Sequence, residues 1–240
     1  MQIKKRILTE LPKVYSICKV PFESRHDEPC FVAGSETDGP LLYFEPPDYQ
    51  PRVIADQPGG YISLWPFERN GDRYLIASTR FWPGFNAADC VITVYPLDGG
   101  ERPEPVKSFP LSYTHRVAVV EVGGRQTFIA SRLCSKKDSR EDWSHPAGIY
   151  AATIPDSLGE EWNLTPVMEG LNKNHGMDLA RIEPGGAEGF LVSAMEGCFF
   201  LTIPQDTDQP WPSVRIDSEE TSDAYAYDWE GTGRPLVFSI

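Results

Sequence analysis

One short apolar phrase recurs five times along this chain. It reads FVAG, LIAS, FIAS, FLVS and LVFS, at residues 31–34, 75–78, 128–131, 190–193 and 236–239. Successive copies are 44, 53, 62 and 46 residues apart. Repeats with a period of about 40–50 residues are typical of β-propellers, in which each repeat forms one four-stranded blade. This repeat constrains the fold more than any other feature of the sequence.

The segments that flank each copy repeat as well. Each copy is preceded by a strand-like run and then by a turn segment, at 26–28, 70–72, 123–124, 185–186 and 231–233. All five of these turns contain Gly, Asn or Asp, which tolerate the positive φ angles of tight hairpins. Four copies are followed by an apolar run that ends in proline and then by a more polar run. Each complete unit therefore predicts an antiparallel meander of strands A, B, C and D, with the recurring phrase in strand B.

A single sheet of this kind cannot bury both of its faces, so it must stack against neighbouring sheets. We expect an all-β protein, a β-propeller of about five four-stranded blades in one domain. The approximate blades are 14–57, 58–112, 113–170, 171–220 and an incomplete 221–240. A β-sandwich is the competing all-β interpretation, but it does not explain the constant order of four runs in every period.

The fifth unit stops after its B strand, and this leaves two interpretations open. In the first, the segment KKRILTEL at residues 4–11 supplies a D strand to the last blade and closes a five-bladed ring. In the second, the sequence is the front part of a larger propeller, such as a seven-bladed one. An apolar B strand at a free sheet edge would invite aggregation, and the abrupt end inside such a strand favours the second interpretation.

Composition excludes several classes of partner. The net charge of −13 disfavours nucleic acid and anionic membrane surfaces. The sequence has neither the apolar core of a secretory signal nor a run of about 18 apolar residues, so we expect a cytoplasmic protein. The five cysteines are widely spaced and include no CxxC pair, which predicts buried free thiols in a reducing compartment.

The connections between strands B and C are the most variable part of the repeat. They run from 4 residues in the fourth unit to 16 in the third. Variable loops on a rigid scaffold usually carry function. Because strands alternate in direction, these loops share one face, which we call the top, with the connections from strand D to the next strand A. We therefore expect a site at the top, at the mouth of the channel.

His115 and His175 occupy equivalent positions at the start of strand A in the third and fourth units. Two imidazoles with Glu196 or Asp178 could hold a divalent metal such as Zn, Mg or Ca, or the histidines could act as general bases. The alternative is that they cap strand ends by bonding to loop carbonyls. His145 lies in the long loop of the third unit, and the sequence favours an ordinary loop residue there.

Arg80 and Arg132 directly follow copies of the phrase and should lie at the same rim. They could hold a substrate by its carboxylate or hydroxyl groups, or form ordinary rim salt bridges. Trp82, with Phe81 and Trp143, could stack on a sugar or contact a partner, or could fold back over the blades. The acidic stretch DSEETSD at residues 217–223 is interpreted as a solvated connection.

The segment NHGMDLARIEPGGAEGFLVSAMEG resembles blades of the FG-GAP/VCBS-like propellers, in particular the N-terminal propellers of the aldos-2-ulose dehydratases, which are sugar-modifying lyases. The likeness covers the hairpins of strands A and B in units three to five. It implies a seven-bladed propeller with a metal-assisted site at its channel, to which His115 and His175 would correspond. The calcium-loop aspartates and the cupin-like partner domain of that family are missing here.

Two functions therefore remain open. The first is a lyase, isomerase or dehydratase that acts on a small sugar-like substrate at the top of the channel. The second is a non-catalytic propeller that binds a protein or glycan partner through its top loops. GxSxG, P-loop and HExxH motifs are absent from the sequence, so none of these catalytic signatures decides between the two.

Overall fold

The computed structural model describes residues 5–21 and 28–240, and these residues form an all-β structure. Four sheets have four strands each and a fifth has two, and the neighbours within each sheet are consecutive in the sequence. All the pairings are antiparallel. This confirms the predicted fold class, a β-propeller built from four-stranded blades. In the described part of the chain, no helix has the length and apolar character needed to cross a membrane.

The chain divides into two compact units, Met1–Leu111 and Ser112–Ile240. The first unit contains two sheets, made of strands β1 (Val14–Val20), β2 (Cys30–Ser35), β3 (Leu41–Phe44) and β4 (Pro51–Ala55), and β5 (Ser63–Arg69), β6 (Asp72–Thr79), β7 (Val91–Pro96) and β8 (Lys107–Pro110). Val32 and Tyr43 of the first sheet share a buried core with Leu75 of the second and with Tyr61, which precedes it. Gly34 permits this packing, because a Cβ there would lie 2.6 Å from Cβ of Tyr61.

The second unit contains two complete sheets and one pair of strands. They are β9 (Thr114–Val122), β10 (Arg125–Arg132), β11 (Ala147–Thr153) and β12 (Thr165–Leu171); β13 (Gly176–Ala180), β14 (Gly189–Ala194), β15 (Gly197–Thr202) and β16 (Ser213–Asp217); and β17 (Ala224–Tyr227) with β18 (Leu236–Ser239). Leu191 and Phe200 pack with Ala224 of the pair, so the pair covers one face of the sheet before it. The A strands β13 and β17 are thereby brought side by side.

The repeated phrase lies in β2, β6, β10, β14 and β18, the second strand of each sheet, as predicted. The strands stay within the predicted blade limits, except that β12 ends at Leu171, one residue beyond. The described turns have the positive φ angles that the sequence predicts. Asn70 and Gly71 have φ angles of 54° and 86°, and Gly123 and Gly124 have φ angles of 58° and 70°. Of the first predicted turn, His26 and Asp27 lie outside the described residues.

One of the two alternatives for the fifth unit, a D strand supplied by residues 4–11, is not seen among the residues that the structure describes. Residues 5–11 form no strand, and the sheet of β17 and β18 contains only those two strands. Instead, the half-buried Leu8 and Leu11 pack against Ala33, Leu42 and Phe44 of the first sheet. Leu8 and Leu11 thus cover part of the first sheet.

The prediction of free thiols is confirmed. All five cysteines are unpaired, and four of them, Cys30, Cys90, Cys134 and Cys198, are buried. Burial raises the pKa of the Cys134 thiol to about 11. These cysteines therefore act as small apolar core residues.

Gly197 provides a test of the sheet geometry. Its φ angle is +123°, and a Cβ would lie 2.1 Å from the carbonyl oxygen of Asp217 on the neighbouring strand. We expect Gly197→Ala to lower the free energy of unfolding by about 3 kcal/mol, measured by urea denaturation.

Gly185→Ala is the matched control, since Gly185 has a φ angle of +66° and nothing within 4 Å of the added Cβ. It should cost only about 1 kcal/mol, the strain of a left-handed backbone conformation. Equal losses in the two variants would contradict the described pairing of β15 with β16.

Candidate functional site

His115 and His175 meet at the starts of neighbouring A strands. Their ring centroids are 4.0 Å apart, with the ring planes inclined by 36°. Nδ1 of His115 lies 2.7 Å from the carbonyl oxygen of His175. A carbonyl oxygen can only accept, so Nδ1 of His115 must carry the proton and donate it to that hydrogen bond. The two histidines therefore form one unit in which His115 holds the backbone of His175.

His115 is a neutral residue of the interior and is only 1% exposed. Burial lowers the pKa of His115 well below its usual value, and the positive charge of Arg116 lowers it further. With the proton on Nδ1, the lone pair of the ring is on Nε2.

His175 is oriented by a carboxylate. Its Nδ1 lies 3.2 Å from Oδ2 of Asp223 and 3.3 Å from Oγ of Ser222. Because an ionised carboxylate only accepts hydrogen bonds, the proton of the neutral imidazole lies on Nδ1 and Nε2 is the basic nitrogen. The side chains of His175 and Asp223 are 20% and 14% exposed, so this pair lies near the surface but is largely shielded.

Asp223 is fixed by its backbone as well as by its side chain. Its N–H donates to the carbonyl of Ile240 at 3.2 Å, and its carbonyl accepts the N–H of Ile240 at 3.0 Å. Burial alone would raise the pKa of Asp223, but the hydrogen bonds and charges of His175 and Arg116 outweigh it and lower the pKa. Asp223 is thus held ionised beside His175. This corrects the interpretation of residues 217–223 as a purely solvated connection.

Arg116 and Asp178 complete the cluster. Nη2 of Arg116 lies 3.6 Å from Oδ1 of Asp223. Burial raises the pKa of Asp178, the nearby charge of Asp223 raises it further, and Arg116 opposes the shift. Three consecutive A strands therefore each contribute ionisable groups, and perturbed groups that converge in this way are typical of functional sites.

Two buried polar side chains beside His175 have no hydrogen-bond partner among the described residues. They are Asn174, through both atoms of its carboxamide, and Ser193, through its hydroxyl. The carbonyl of Asn174 accepts the hydroxyl of Ser131 at 2.9 Å, and the carbonyl of Ser193 accepts the N–H of His175 at 3.0 Å. Buried polar groups of native proteins are almost always satisfied, so these two side chains would bind water or polar ligand atoms.

Glu196 does not join the histidines. Its carboxylate accepts the N–H of Asn172 at 2.9 Å and the side-chain amide of the same residue at 3.0 Å. It therefore ties the turn between β14 and β15 to the loop before β13.

The two arginines predicted to bind substrate, Arg132 and Arg80, donate hydrogen bonds to backbone carbonyls of other loops. Nε of Arg132 donates to the carbonyl of Ser112 at 2.9 Å, and its guanidinium lies 5.3 Å from the ring centroid of Tyr150. Arg80 is exposed, has a φ angle of 59°, and its N–H donates to the carbonyl of Gly59 at 3.1 Å. Arg132 has no described contact with the histidine cluster.

The loop aromatics pack within their own loops. Phe81 is 2% exposed and meets the Phe85 ring edge-on at 6.4 Å. Trp82 is half-buried, and its backbone N–H donates to the carbonyl of Asn86 at 2.9 Å. The ammonium of Lys137 lies 3.3 Å from the ring centroid of Trp143.

His145 belongs to a separate group in its loop. Its Nε2 lies 2.9 Å from Oδ2 of Asp138 and 3.5 Å from Oδ2 of Asp142. Within residues 5–21 and 28–240, this is the one group of three His, Cys, Asp or Glu whose candidate ligand atoms all lie within 4.8 Å of one another. Lys136 also bonds the carboxylate of Asp138, at 2.9 Å, so ion pairs account for the group.

The predicted ligands His115, His175, Asp178 and Glu196 do not form such a group in the described structure. The carboxylate of Glu196 is held by the N–H and the side-chain amide of Asn172 and does not join the histidines. This set does not fit a metal centre.

Sequence reasoning did not select Arg116, Ser222 or Asp223 for the site. A signal for Asp223 was present, because it directly precedes its A strand, as His175 does. Arg116 follows His115 on β9, and its contact with Asp223 depends on how the A strands pack.

No protein-family model matches the chain, and no curated protein matches it significantly. It is similar to a solved structure described as a functionally unknown protein from Desulfotomaculum acetoxidans DSM 771. The identity is 12% and the TM-score 0.50, over 89% of this chain and 60% of that one. The chain thus spans about 60% of the length of that structure, and the likeness shows the fold alone. The resemblance to FG-GAP/VCBS-like propellers stays a prediction.

The burial of a neutral His115 makes stability depend on pH. In the unfolded chain its imidazole takes up a proton below about pH 6.5, whereas the folded state does not. The free energy of unfolding should therefore fall as the pH drops below that value, by up to about 1.4 kcal/mol per pH unit from this group.

His115→Asn keeps an N–H donor for the carbonyl of His175 but removes the titration. We expect the stability advantage of the wild type over this variant to shrink between about pH 7 and pH 5, measured by urea denaturation. An advantage that stays constant over this range would show that His115 is not held neutral.

Proposed function

We propose that this protein is a lyase, isomerase or dehydratase that acts on a small sugar-like substrate, with His175 as its acid–base residue. The observation that supports this most directly is the 3.2 Å contact between Nδ1 of His175 and Oδ2 of Asp223. It leaves Nε2 as the basic atom on an oriented imidazole. Asp223 and His115 are positioning residues, which act through the side chain and the backbone of His175.

These three classes of reaction share a first step that the pair of His175 and Asp223 can carry out. The C–H bond next to the carbonyl group breaks, its electron pair forms the double bond of an enediolate, and the proton moves to Nε2 of His175. The carboxylate of Asp223 stabilises the imidazolium that results. The guanidinium of Arg116, 3.6 Å from Asp223, adds a positive charge near the negative charge that develops on the substrate.

The second half of the reaction needs a proton donor. In an isomerisation, the imidazolium returns its proton to the neighbouring carbon. In a dehydration, the C–O bond breaks and hydroxide leaves as water after it receives a proton. Asp178 suits this role because its pKa is raised, mainly by burial, which increases the fraction that carries a proton.

A polyhydroxylated substrate fits the polar atoms around His175. The carboxamide of Asn174 and the hydroxyl of Ser193 offer donors and acceptors without described partners. A hydroxyl group both donates and accepts, so it can satisfy either kind of atom. The resemblance to sugar-modifying lyases points to the same class of substrate.

The non-catalytic alternative relies on exposed aromatic anchors in the loops. Phe81 is buried, Trp82 and Trp143 are half-buried, and the ammonium of Lys137 lies over the ring of Trp143. The surroundings of these residues therefore lend more support to the enzyme.

Proton exchange tests this function without knowledge of the product. The protein is incubated in heavy water with a panel of aldoses, ketoses and uronates, and proton NMR follows loss of the signal on the carbon next to the carbonyl. We expect exchange with at least one sugar. His175→Asn, which keeps a donor toward Asp223 but lacks Nε2, should slow it at least about 100-fold.

The variant Asp223→Asn distinguishes loss of the orientation of the His175 ring from loss of the fold. Asparagine keeps the size of the side chain but removes the carboxylate that accepts the proton of Nδ1, so exchange should slow at least about 10-fold in a variant that urea denaturation shows to be folded. His145→Asn is the matched control and should exchange at the wild-type rate. Exchange that persists in His175→Asn would contradict the proposal. The absence of exchange with every sugar in the panel would contradict it as well.

A further inference from the structure

We propose that the second unit carries a separate binding site for a neutral oligosaccharide, at the other end of the third blade. A cavity of about 800 Å³ lies there, lined by β10, β11 and β12 and by residues 155–163 and 207–211. Val122 at the end of β9 lines it, whereas His115 is near the start of that strand. Seven residues of extended strand separate the two by about 24 Å. This site neither requires nor supports the proposed catalysis.

One wall is a loop that the fold holds rigidly. Trp162 is 5% exposed and packs edge-on against Phe128, with the ring centroids 5.4 Å apart. Its indole N–H donates to the carbonyl of Leu158 at 3.2 Å. On either side of this buried anchor, Glu161 and Asn163 are exposed and line the cavity. The loop therefore presents a carboxylate and a carboxamide from a fixed backbone.

The opposite wall of the cavity is also held in place by contacts with neighbouring residues. The turn at Gly123 packs close to Asp206, since a Cβ on Gly123 would lie 3.5 Å from that residue. The N–H of Thr202 donates to the carbonyl of Pro212 at 2.8 Å and closes the loop between β15 and β16. This loop presents Gln209 and the half-buried Trp211 to the cavity.

The chemistry of the lining favours a sugar chain. An indole face can pack on the C–H face of a sugar ring, while carboxylates and carboxamides bond to the hydroxyl groups around it. The cavity combines these groups along strand β11, which contributes Ala151 and Ala152 to its lining. Pockets of about 300–1,000 Å³ take up small ligands, and this cavity is in the upper part of that range, which suits several rings.

The charges of the lining restrict the ligand further. Its carboxylates, Glu160, Glu161 and Asp208, outnumber its one guanidinium, Arg125, so an anionic ligand would be repelled. The lining also includes two carboxamides and four threonine hydroxyls, more uncharged polar groups than charged ones. This balance favours a neutral hydroxylated ligand over a basic peptide.

Calorimetric titration of the full chain with neutral tetra- and hexasaccharides tests the proposal. Cello-, xylo-, manno- and malto-oligosaccharides serve as probes. We expect at least one series to bind, with the hexasaccharide tighter than the tetrasaccharide and with affinity unchanged between low and high salt. Trp211→Ala should weaken binding at least 10-fold.

The double variant Asn163→Ala with Gln209→Ala changes only exposed side chains and should weaken binding without affecting the fold. His175→Asn should bind as the wild type does, which separates this site from the catalytic proposal. Absence of binding by all four series would overturn the inference. So would binding that survives both cavity variants, or tighter, salt-dependent binding of an oligolysine peptide that the cavity variants abolish.

Discussion

The rest of the structure depends on the burial of each complete blade's second strand on both of its faces. Side chains alternate along a strand, so Phe128, Ile129 and Ala130, all at 0% exposure, need apolar cover on both sides of their sheet. In the second unit, Ala224 and its neighbours supply part of that cover for the β14 sheet. Each large apolar side chain buried in this way contributes about 1.5–3 kcal/mol, which drives sheet to stack on sheet.

Stacking of the sheets places the candidate site. When the sheets pack through their second strands, the first strands come together side by side, and the residues at their starts become neighbours. His115, His175 and Asp223 meet for this reason although they are far apart in sequence. The same burial excludes water, so Arg116 shifts the pKa values of Asp178 and Asp223 more than an exposed charge would.

The blades could be predicted from the sequence because the repeat consists of local patterns of apolar, turn and proline residues. The pairing of His115 with His175 was also accessible, since the two share a position in the repeat. Glu196 and Arg132 were harder, because Glu196 lies in the turn after β14 and Arg132 is the last residue of β10, where the pattern does not set the side-chain directions. Their bonds to Asn172 and Ser112 depend on local loop geometry. The N-terminal segment carried apolar residues, such as Leu8, without any signal of which sheet they would cover.

The central claim is that Asp223 fixes the imidazole of His175 with its proton on Nδ1 and its lone pair on Nε2. Long-range proton–nitrogen-15 NMR correlations of the histidine rings test this most directly, with His175→Asn used to assign the signals. We expect the neutral His175 ring as the Nδ1–H form in the wild type, with loss of this preference in Asp223→Asn. A wild-type ring protonated on Nε2, or one that Asp223→Asn leaves unchanged, would contradict the account.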